Sequence, residues 1–180
     1  MNRTSVDEAS QAGKDHAPRI LIVDNDARIV ELVSWFLSKK GFVVSSAGSF
    51  AETRERLAEG RPDLMLSDVD LGSESALEEL PRLDQDGLLP PTLVVSGYLD
   101  PATAGSLERL GPVLGTLAKP FDFPQLEERI ETCLRGLGRS AEGHALAPQA
   151  APPVGVPAAQ LQVAASGGEA EWVEILPAGS

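Results

Sequence analysis

The sequence predicts an α/β fold, in which five parallel strands form one doubly wound sheet with helices on both faces. Short apolar runs recur along the chain, segments of helical periodicity separate them, and most of the runs end in a polar or acidic residue. Apolar runs without polar alternation indicate strands that are buried on both faces of a parallel sheet. Regular alternation of strands and helices indicates right-handed crossovers, for which the expected strand order is 2-1-3-4-5.

Each predicted element has a local signal at one of its ends. Gly41 and Gly60 end the first two helices, because glycine is the usual residue just beyond a helix C-terminus. Ser49 or Ala51 begins the second helix, and Asp100 and Asp122 cap the last two helices. The third helix is expected to be broken or bent at Pro81 unless that proline lies in its first turn. In chain order, the predicted strands are residues 19–23, 42–44, 64–67, 92–96 and 113–118, and the helices after them lie within residues 29–40, 49–59, 73–86, 100–110 and 122–137.

The composition divides the chain into one domain, residues 18–137, and two flanking segments. Residues 1–17 are polar and are predicted to be a disordered lead-in. Residues 138–180 are rich in proline, alanine and glycine and are predicted to be a disordered tail, interrupted by a short apolar patch at residues 172–176. We expect a stand-alone domain without a DNA-binding output domain, because this tail is too acidic and too rich in proline for a helix-turn-helix.

Charge and cysteine content exclude several classes of partner. The chain has 180 residues and a formal net charge of −12, so it should repel nucleic acids and anionic membranes. Cys133 is the single cysteine, which fits a reducing cytoplasm and leaves no internal disulfide. The sequence shows no Cys/His metal spacing, no apolar run long enough to span a membrane and no secretory signal. A cytoplasmic location without DNA or membrane contact is therefore expected.

Polar side chains follow the predicted strands at the carboxyl edge of the sheet, where ligands gather in open α/β folds. A carboxylate there can attack phosphorus, and carboxylate oxygens also suit Mg²⁺. An ammonium and a hydroxyl can hold phosphoryl oxygens. The residues are Asp24, Asn25 and Asp26 after the first strand, Asp68 after the third, Ser96 after the fourth and Lys119 after the fifth. Our hypothesis is that Asp68 accepts a phosphoryl group; the alternative is that it is a loop acid or a turn cap.

These motifs together make the chain resemble the receiver domain of bacterial two-component response regulators. The resemblance covers about residues 18–137, and its sheet is the five-stranded flavodoxin-like (βα)5 type. The motifs that carry it are Ile20-Leu21-Ile22-Val23-Asp24, Asp68 after the third strand, Ser96-Gly97 and Lys119-Pro120-Phe121.

The resemblance implies a signalling protein rather than an enzyme. Asp68 would receive its phosphoryl group from a histidine kinase or a phosphotransfer protein, Ser96 would sense it and Lys119 would pair with it. Mg²⁺ would be bound by Asp24, Asn25, Asp68 and the backbone carbonyl of Asp70. The Lys119-Pro120 bond would be cis, and the output would be contact with a downstream protein that the sequence does not identify.

Two departures from the family pattern affect these expectations. Asn25 replaces the second acid of the usual pair, so Mg²⁺ should bind weakly unless Asp26 compensates. Thr116 occupies a position that is often aromatic in the family, which weakens any switch that needs an aromatic side chain there.

Other functions remain open at this point. Because of Asn25, the chain could be a receiver-shaped scaffold that is never phosphorylated. Asp68-Val69-Asp70 also fits the Asp-x-Asp motif of haloacid-dehalogenase-type phosphatases, although in those enzymes the motif ends the first strand of the core. A flavodoxin is disfavoured, because Asp24 and Asp26 would repel the phosphate of its flavin.

Overall fold

A single parallel sheet organises the part of the chain that the structure describes. The computed structural model describes residues 17–97, 100–138 and 162–163. Five strands form the sheet in the order β2-β1-β3-β4-β5, all of them parallel, as the sequence predicts. The strands are β1 (Arg19–Val23), β2 (Val43–Ala47), β3 (Leu64–Asp68), β4 (Thr92–Ser96) and β5 (Val113–Ala118).

Five helices connect and follow these strands. Side chains cap their N-termini at the predicted residues, since Ser49, Asp100 and Asp122 each accept hydrogen bonds from backbone N–H groups of the helix that follows. The helices are α1 (Ala27–Lys39), α2 (Phe50–Glu59), α3 (Ala76–Gln85), α4 (Pro101–Leu107) and α5 (Phe123–Gly136).

The two faces of the sheet bury two separate layers of apolar side chains. Alternate residues of a strand point to opposite faces, so Ile20 and Ile22 of β1 pack in one layer and Leu21 and Val23 in the other. This explains why β1 is continuously apolar instead of alternating. Burial of each such side chain contributes about 2 kcal/mol to folding. The two layers hold the sheet rigid beneath its carboxyl edge.

Several boundaries differ from the sequence prediction. The second strand runs from Val43 to Ala47 instead of 42–44, because its polar residues Ser45 and Ser46 pair with β1 at the edge of the sheet. Helix α4 ends at Leu107, before the predicted residue 110. Helix α5 ends at Gly136, so Leu137, the last residue of the predicted helix, follows it and is 37% exposed.

The prediction of a break at Pro81 is wrong. Pro81 lies inside α3, beyond its first turn, and the helix continues to Gln85. Leu80 and Leu83 on either side of Pro81 are fully buried against the sheet. Their burial opposes the loss of the one hydrogen bond that proline cannot donate. The helix begins at Ala76, after the N-cap Ser75, three residues later than the predicted residue 73.

A second, two-stranded antiparallel sheet was not predicted. It pairs β6 (Phe121–Asp122), just before α5, with β7 (Gln162–Val163) from the C-terminal segment. The predicted lead-in at 1–17 lies almost wholly outside the described residues, as does the apolar patch at 172–176, so the domain boundaries remain predictions. Among the described residues, no helix has the length and hydropathy needed to cross a membrane.

Candidate functional site

The site lies at the carboxyl edge of the sheet, where one ammonium group joins two carboxylates. The Nζ atom of Lys119 lies 3.0 Å from Oδ2 of Asp24 and 2.8 Å from Oδ2 of Asp68. We call these three residues the ionic triad. Their side chains are 5%, 7% and 14% exposed for Lys119, Asp24 and Asp68, so the triad is almost closed to solvent.

Strand order and register bring the triad together. Adjacent β1 and β3 pair Val23 with Ser67, so the residues that follow, Asp24 and Asp68, emerge side by side. Lys119 follows β5, which is separated from β3 by β4. Its long side chain therefore extends across the end of β4 to reach both acids. No two of these residues are close in sequence, and only the parallel sheet makes them neighbours.

Burial and charge change the proton affinity of two triad members. Burial raises the pKa of the Asp24 carboxyl above its ordinary value, against the attraction of Lys119 and a hydrogen bond from the Asp26 N–H. Burial also acts against the ammonium of Lys119, but the combined attraction of Asp24 and Asp68 outweighs it and raises the pKa of Lys119. Lys119 is therefore held in its charged form.

The remaining oxygens of the two acids accept backbone hydrogen bonds. Oδ1 of Asp68 accepts from the N–H of Val69 at 2.7 Å and, more distantly, from that of Asp70 at 3.4 Å. Oδ1 of Asp24 accepts from the N–H of Asp26 at 2.8 Å. Both carboxylates thus have a fixed orientation. The Val69 contact was missed by sequence reasoning, because a backbone donor on an apolar residue leaves no mark in the sequence.

Ser96 and the cis peptide bond lie where the sequence predicts. Ser96 ends β4, is 5% exposed, and its carbonyl accepts a hydrogen bond from the N–H of Lys119 at 2.7 Å. The Lys119-Pro120 bond is cis, as the resemblance implies. Thr116 lies on β5, where its carbonyl accepts a hydrogen bond from Arg129 at 2.8 Å.

A small apolar cavity lies directly beneath the triad. Its volume is about 20 Å³, which is space for about one water molecule. Phe121, which sequence analysis treated only as part of a motif, lines it together with core residues of β1, β3 and α5. Most of this lining is apolar, so the triad faces little polar surface on this side.

The oxygen donors around the triad suit a hard cation. Mg²⁺ is usually bound by one or two carboxylates, with water or phosphate oxygens completing its shell. Asp24 and Asp68 supply two carboxylates here, whereas Asn25 contributes no charge. The side chain of Asn25 lies near Gly72, since its Nδ2 would be 3.4 Å from a Cβ atom at that position. Among the described residues, no group of three or more His, Cys, Asp or Glu side chains is placed to hold a metal ion.

Asp26 caps a helix instead of supplying the acidic metal ligand that Asn25 lacks. It is the N-cap of α1, and its Oδ1 accepts a hydrogen bond from the N–H of Arg28 at 2.9 Å. An exposed contact with the Arg28 guanidinium at 3.5 Å engages the same oxygen. Moving Asp26 into the site would cost α1 its cap, so Asn25 remains the residue next to Asp24.

Comparison with known proteins decides the family. The family model of the response regulator receiver domain matches residues 20–131, more than half of the chain. The chain belongs to the response regulator receiver family. This match, together with the strand order, favours a receiver over the phosphatase hypothesis, because Asp68 ends the third strand of the sheet.

Curated relatives and solved structures agree with this assignment. The chain is 33% identical over 114 residues to the transcriptional regulatory protein CrdR of Helicobacter pylori, covering 63% of this chain and 53% of that protein. It is 32% identical over 130 residues to the transcriptional regulatory protein PrrA of Mycobacterium leprae, covering 69% and 53%. The CheY-like receiver domain of Methanospirillum hungatei superposes with a TM-score of 0.62 at 24% identity, covering 68% and 97%, and supports the fold.

The receiver occupies only part of these longer relatives. The chain spans about half the length of the two curated regulators that it matches. The similarity therefore assigns a receiver domain of a two-component system, which is a signalling domain. It does not extend to the output of the longer relatives.

Proposed function

We propose that Asp68 accepts a phosphoryl group from a histidine kinase or a phosphotransfer protein, and that the receiver then signals through protein–protein contacts. The observation that carries this proposal is the ionic triad. A buried ammonium that touches two carboxylates is costly to maintain for stability alone. Such an arrangement suits a carboxylate that receives a phosphoryl group, because the Lys119 ammonium can offset the added negative charge.

The proposed transfer uses the residues of the triad in distinct roles. An oxygen of Asp68 forms a bond to phosphorus while the P–N bond of the donor phosphohistidine breaks, and the leaving imidazole takes up a proton. The product is an aspartyl phosphate. Lys119 exchanges its contact with the Asp68 carboxylate for the phosphoryl oxygens, and the Ser96 hydroxyl is the proposed second contact.

Mg²⁺ is the proposed cofactor, bound weakly by Asp24, Asn25, Asp68 and the Asp70 carbonyl. When bound, it would supply positive charge that offsets repulsion between the carboxylates and the incoming phosphoryl group. Asp24 is the most buried of these acids and already orients one oxygen through the Asp26 N–H. The proposal includes a cytoplasmic location, which the single Cys133 supports.

The proposal is tested by intact mass after incubation with a small phosphodonor and Mg²⁺. We expect wild-type protein to gain one phosphoryl group and Asp68→Asn to gain none. Asp70→Asn is the matched control, because Asp70 lies two residues away and its side chain only bonds the Gly72 N–H. Phosphorylation of Asp68→Asn at the wild-type level would exclude Asp68 as the acceptor.

An unphosphorylated scaffold is the second candidate, and Asn25 is the observation that favours it. With one carboxylate fewer, the site attracts Mg²⁺ less strongly than a site with the usual acid pair. A wild-type protein that gains no phosphoryl group, even at high Mg²⁺, would support the scaffold and contradict the phosphoacceptor proposal.

A further inference from the structure

The loop between β3 and α3, residues 69–75, sets the position of the phosphoacceptor's backbone partners. Val69 donates the 2.7 Å hydrogen bond to Oδ1 of Asp68, and Asp70 follows it. The proposed metal contact of Asp70 is also a backbone carbonyl. Displacement of this loop would therefore move several groups around Asp68 at the same time. The contacts that hold this loop in place therefore affect the geometry around Asp68.

The loop is closed on itself by short-range hydrogen bonds. The Leu71 N–H donates to the carbonyl of Glu74 at 3.0 Å, and Asp70 and Ser75 form an antiparallel bridge. The Ala76 N–H donates to the Val69 carbonyl at 2.9 Å. The start of the loop is also held to β4, because the Val69 N–H donates to the carbonyl of Val95 at 3.1 Å. Beyond Val69 the internal bonds couple the loop residues, so an anchor at its far end restrains Asp70 as well.

Glu74 supplies such an anchor through its side chain. Its Oε2 accepts a hydrogen bond from the N–H of Phe50 at 2.8 Å, across 24 residues of sequence. Phe50 is the first residue of α2, and its side chain is 1% exposed within the core. The first N–H groups of a helix have no partner inside it, and a carboxylate is stabilised at that end. Neighbouring donors are already satisfied: Ser49 accepts from Glu52, and the Glu52 carboxylate accepts from Gly48.

We propose that Glu74 is a positioning residue for phosphoryl transfer, which ties the loop after Asp68 to the rigid N-terminus of α2. This inference rests on the function proposed above. Glu74 does not touch Asp68; it acts through the loop backbone at Asp70. Loss of the anchor frees the part of the loop beyond Val69 to shift, which misaligns the Asp70 carbonyl.

Two substitutions at Glu74 distinguish the effect of its hydrogen bond from the effect of its negative charge. Glu74→Ala removes the acceptor, whereas Glu74→Gln keeps an acceptor oxygen without the charge. Glu52→Ala is the matched control, because it deletes a comparable 2.9 Å hydrogen bond to Gly48 at the same helix end but does not touch the loop. Amide hydrogen exchange of residues 69–72 in the metal-free protein is measured first, and then the phosphorylation rate as a function of Mg²⁺ concentration.

We expect Glu74→Ala to speed exchange at residues 69–72 by about tenfold and to lower the phosphorylation rate at subsaturating Mg²⁺ by a similar factor, because a charge-assisted hydrogen bond is lost. Glu74→Gln should recover most of both, and Glu52→Ala should change neither. Equal effects of Glu74→Ala and Glu52→Ala would overturn the inference, since both would then only weaken α2. A wild-type exchange rate in Glu74→Ala would also overturn it.

The exchange measurement keeps the two proposals apart. It needs no phosphoryl transfer, so it decides whether Glu74 anchors the loop even if wild-type protein is never phosphorylated. In that case the phosphoacceptor proposal fails, and with it the role of Glu74 in transfer, while faster exchange would still establish the anchor. If Glu74→Ala does not fold, Glu74→Asp takes its place, because its shorter side chain withdraws the carboxylate from the Phe50 N–H. Faster exchange at residues 69–72 in Glu74→Asp would then support the anchor, and wild-type exchange would contradict it.

Discussion

Two clusters of opposite charges in this receiver contain the same kinds of groups in different surroundings. The ionic triad at the carboxyl edge is at most 14% exposed at each side chain. A second cluster links α2 to α3 on the protein surface through Arg54, which lies 2.8 Å from Asp86 and 3.8 Å from Glu79. Arg82 also pairs with Glu79, and Arg82 and Asp86 are more than half exposed.

The difference shows that burial, rather than the number of contacts, decides what a charged cluster does. On the surface, water screens the charges and each pair contributes little to stability. In the triad, burial raises the pKa of Asp24, whereas the attraction of Asp24 and Asp68 raises the pKa of Lys119 against the effect of burial, so the ionisation of these groups is coupled. We expect substitutions in the surface cluster to change the free energy of unfolding little. In the triad, a change of charge or a bound ligand should affect all three residues. The four predictions below test this contrast, from the largest expected effect to the smallest.

Lys119→Met should have the largest effect on stability. It leaves Asp24 and Asp68 facing each other without the ammonium, and the loss of one partner from a buried pair costs about 3 kcal/mol in the free energy of unfolding. Urea denaturation without divalent cations would measure it. Lys40→Met is the control, because Lys40 forms an exposed ion pair with Glu127 at 2.8 Å and should lose much less.

The pH dependence of that loss has a definite sign. The raised pKa of Lys119 means that its stabilising contribution is complete below the ordinary value of 10.5 and is lost as the pH rises through the raised value. The wild-type and Lys119→Met curves should therefore converge at strongly alkaline pH. Equal stabilities of the two proteins at neutral pH would contradict a stabilising triad.

Asn25→Asp should tighten Mg²⁺ binding by about tenfold, because affinity at a hard-oxygen site follows ligand charge. Isothermal titration calorimetry with the metal alone would measure it. Asp26→Asn serves as the comparison, since Asp26 caps α1 and should affect the metal little. Equal Mg²⁺ affinities of wild type and Asn25→Asp would mean that the charge at position 25 is unimportant.

Asp24→Asn should raise the free energy of unfolding at neutral pH in the absence of metal, by less than Lys119→Met lowers it, because it removes a buried charge whose desolvation raises its pKa. The folded state binds more protons than the unfolded state between the ordinary value of 3.8 and the raised pKa, so the contribution of Asp24 falls as pH rises through that window. The advantage of Asp24→Asn should grow over the same window. A pH-independent difference would contradict this account.

Arg54→Ala should have the smallest effect, about 0.5 kcal/mol or less, although it removes contacts to both Asp86 and Glu79. Arg54 is 36% exposed, so water replaces the lost partners. Thermal unfolding in low and high salt would measure this. A loss as large as that of Lys119→Met would show that burial does not separate the two clusters.

Local sequence patterns were sufficient to predict the sheet and most of the helix ends. The apolar runs predict the observed bounds of β1, β4 and β5. In β1 and β4 the reason is burial on both faces, which leaves polar side chains mainly at the strand ends. β5 lies at the edge of the sheet and is partly exposed. The caps Ser49, Asp100 and Asp122 were identifiable because each satisfies N–H groups within three residues of itself. Because these signals involve residues close together along the chain, a single sequence is enough to identify them.

Only the tertiary structure decided the features that depend on distant residues. The Glu74 contact joins residues 24 apart, the Lys119 contact with Asp68 joins residues 51 apart, and the course of α3 through Pro81 depends on the burial of Leu80 and Leu83. The sequence determined which charged and polar residues stand at the strand ends of this receiver. The packed sheet determined which of them touch and how far they are buried, because both depend on segments that approach one another only when the chain folds.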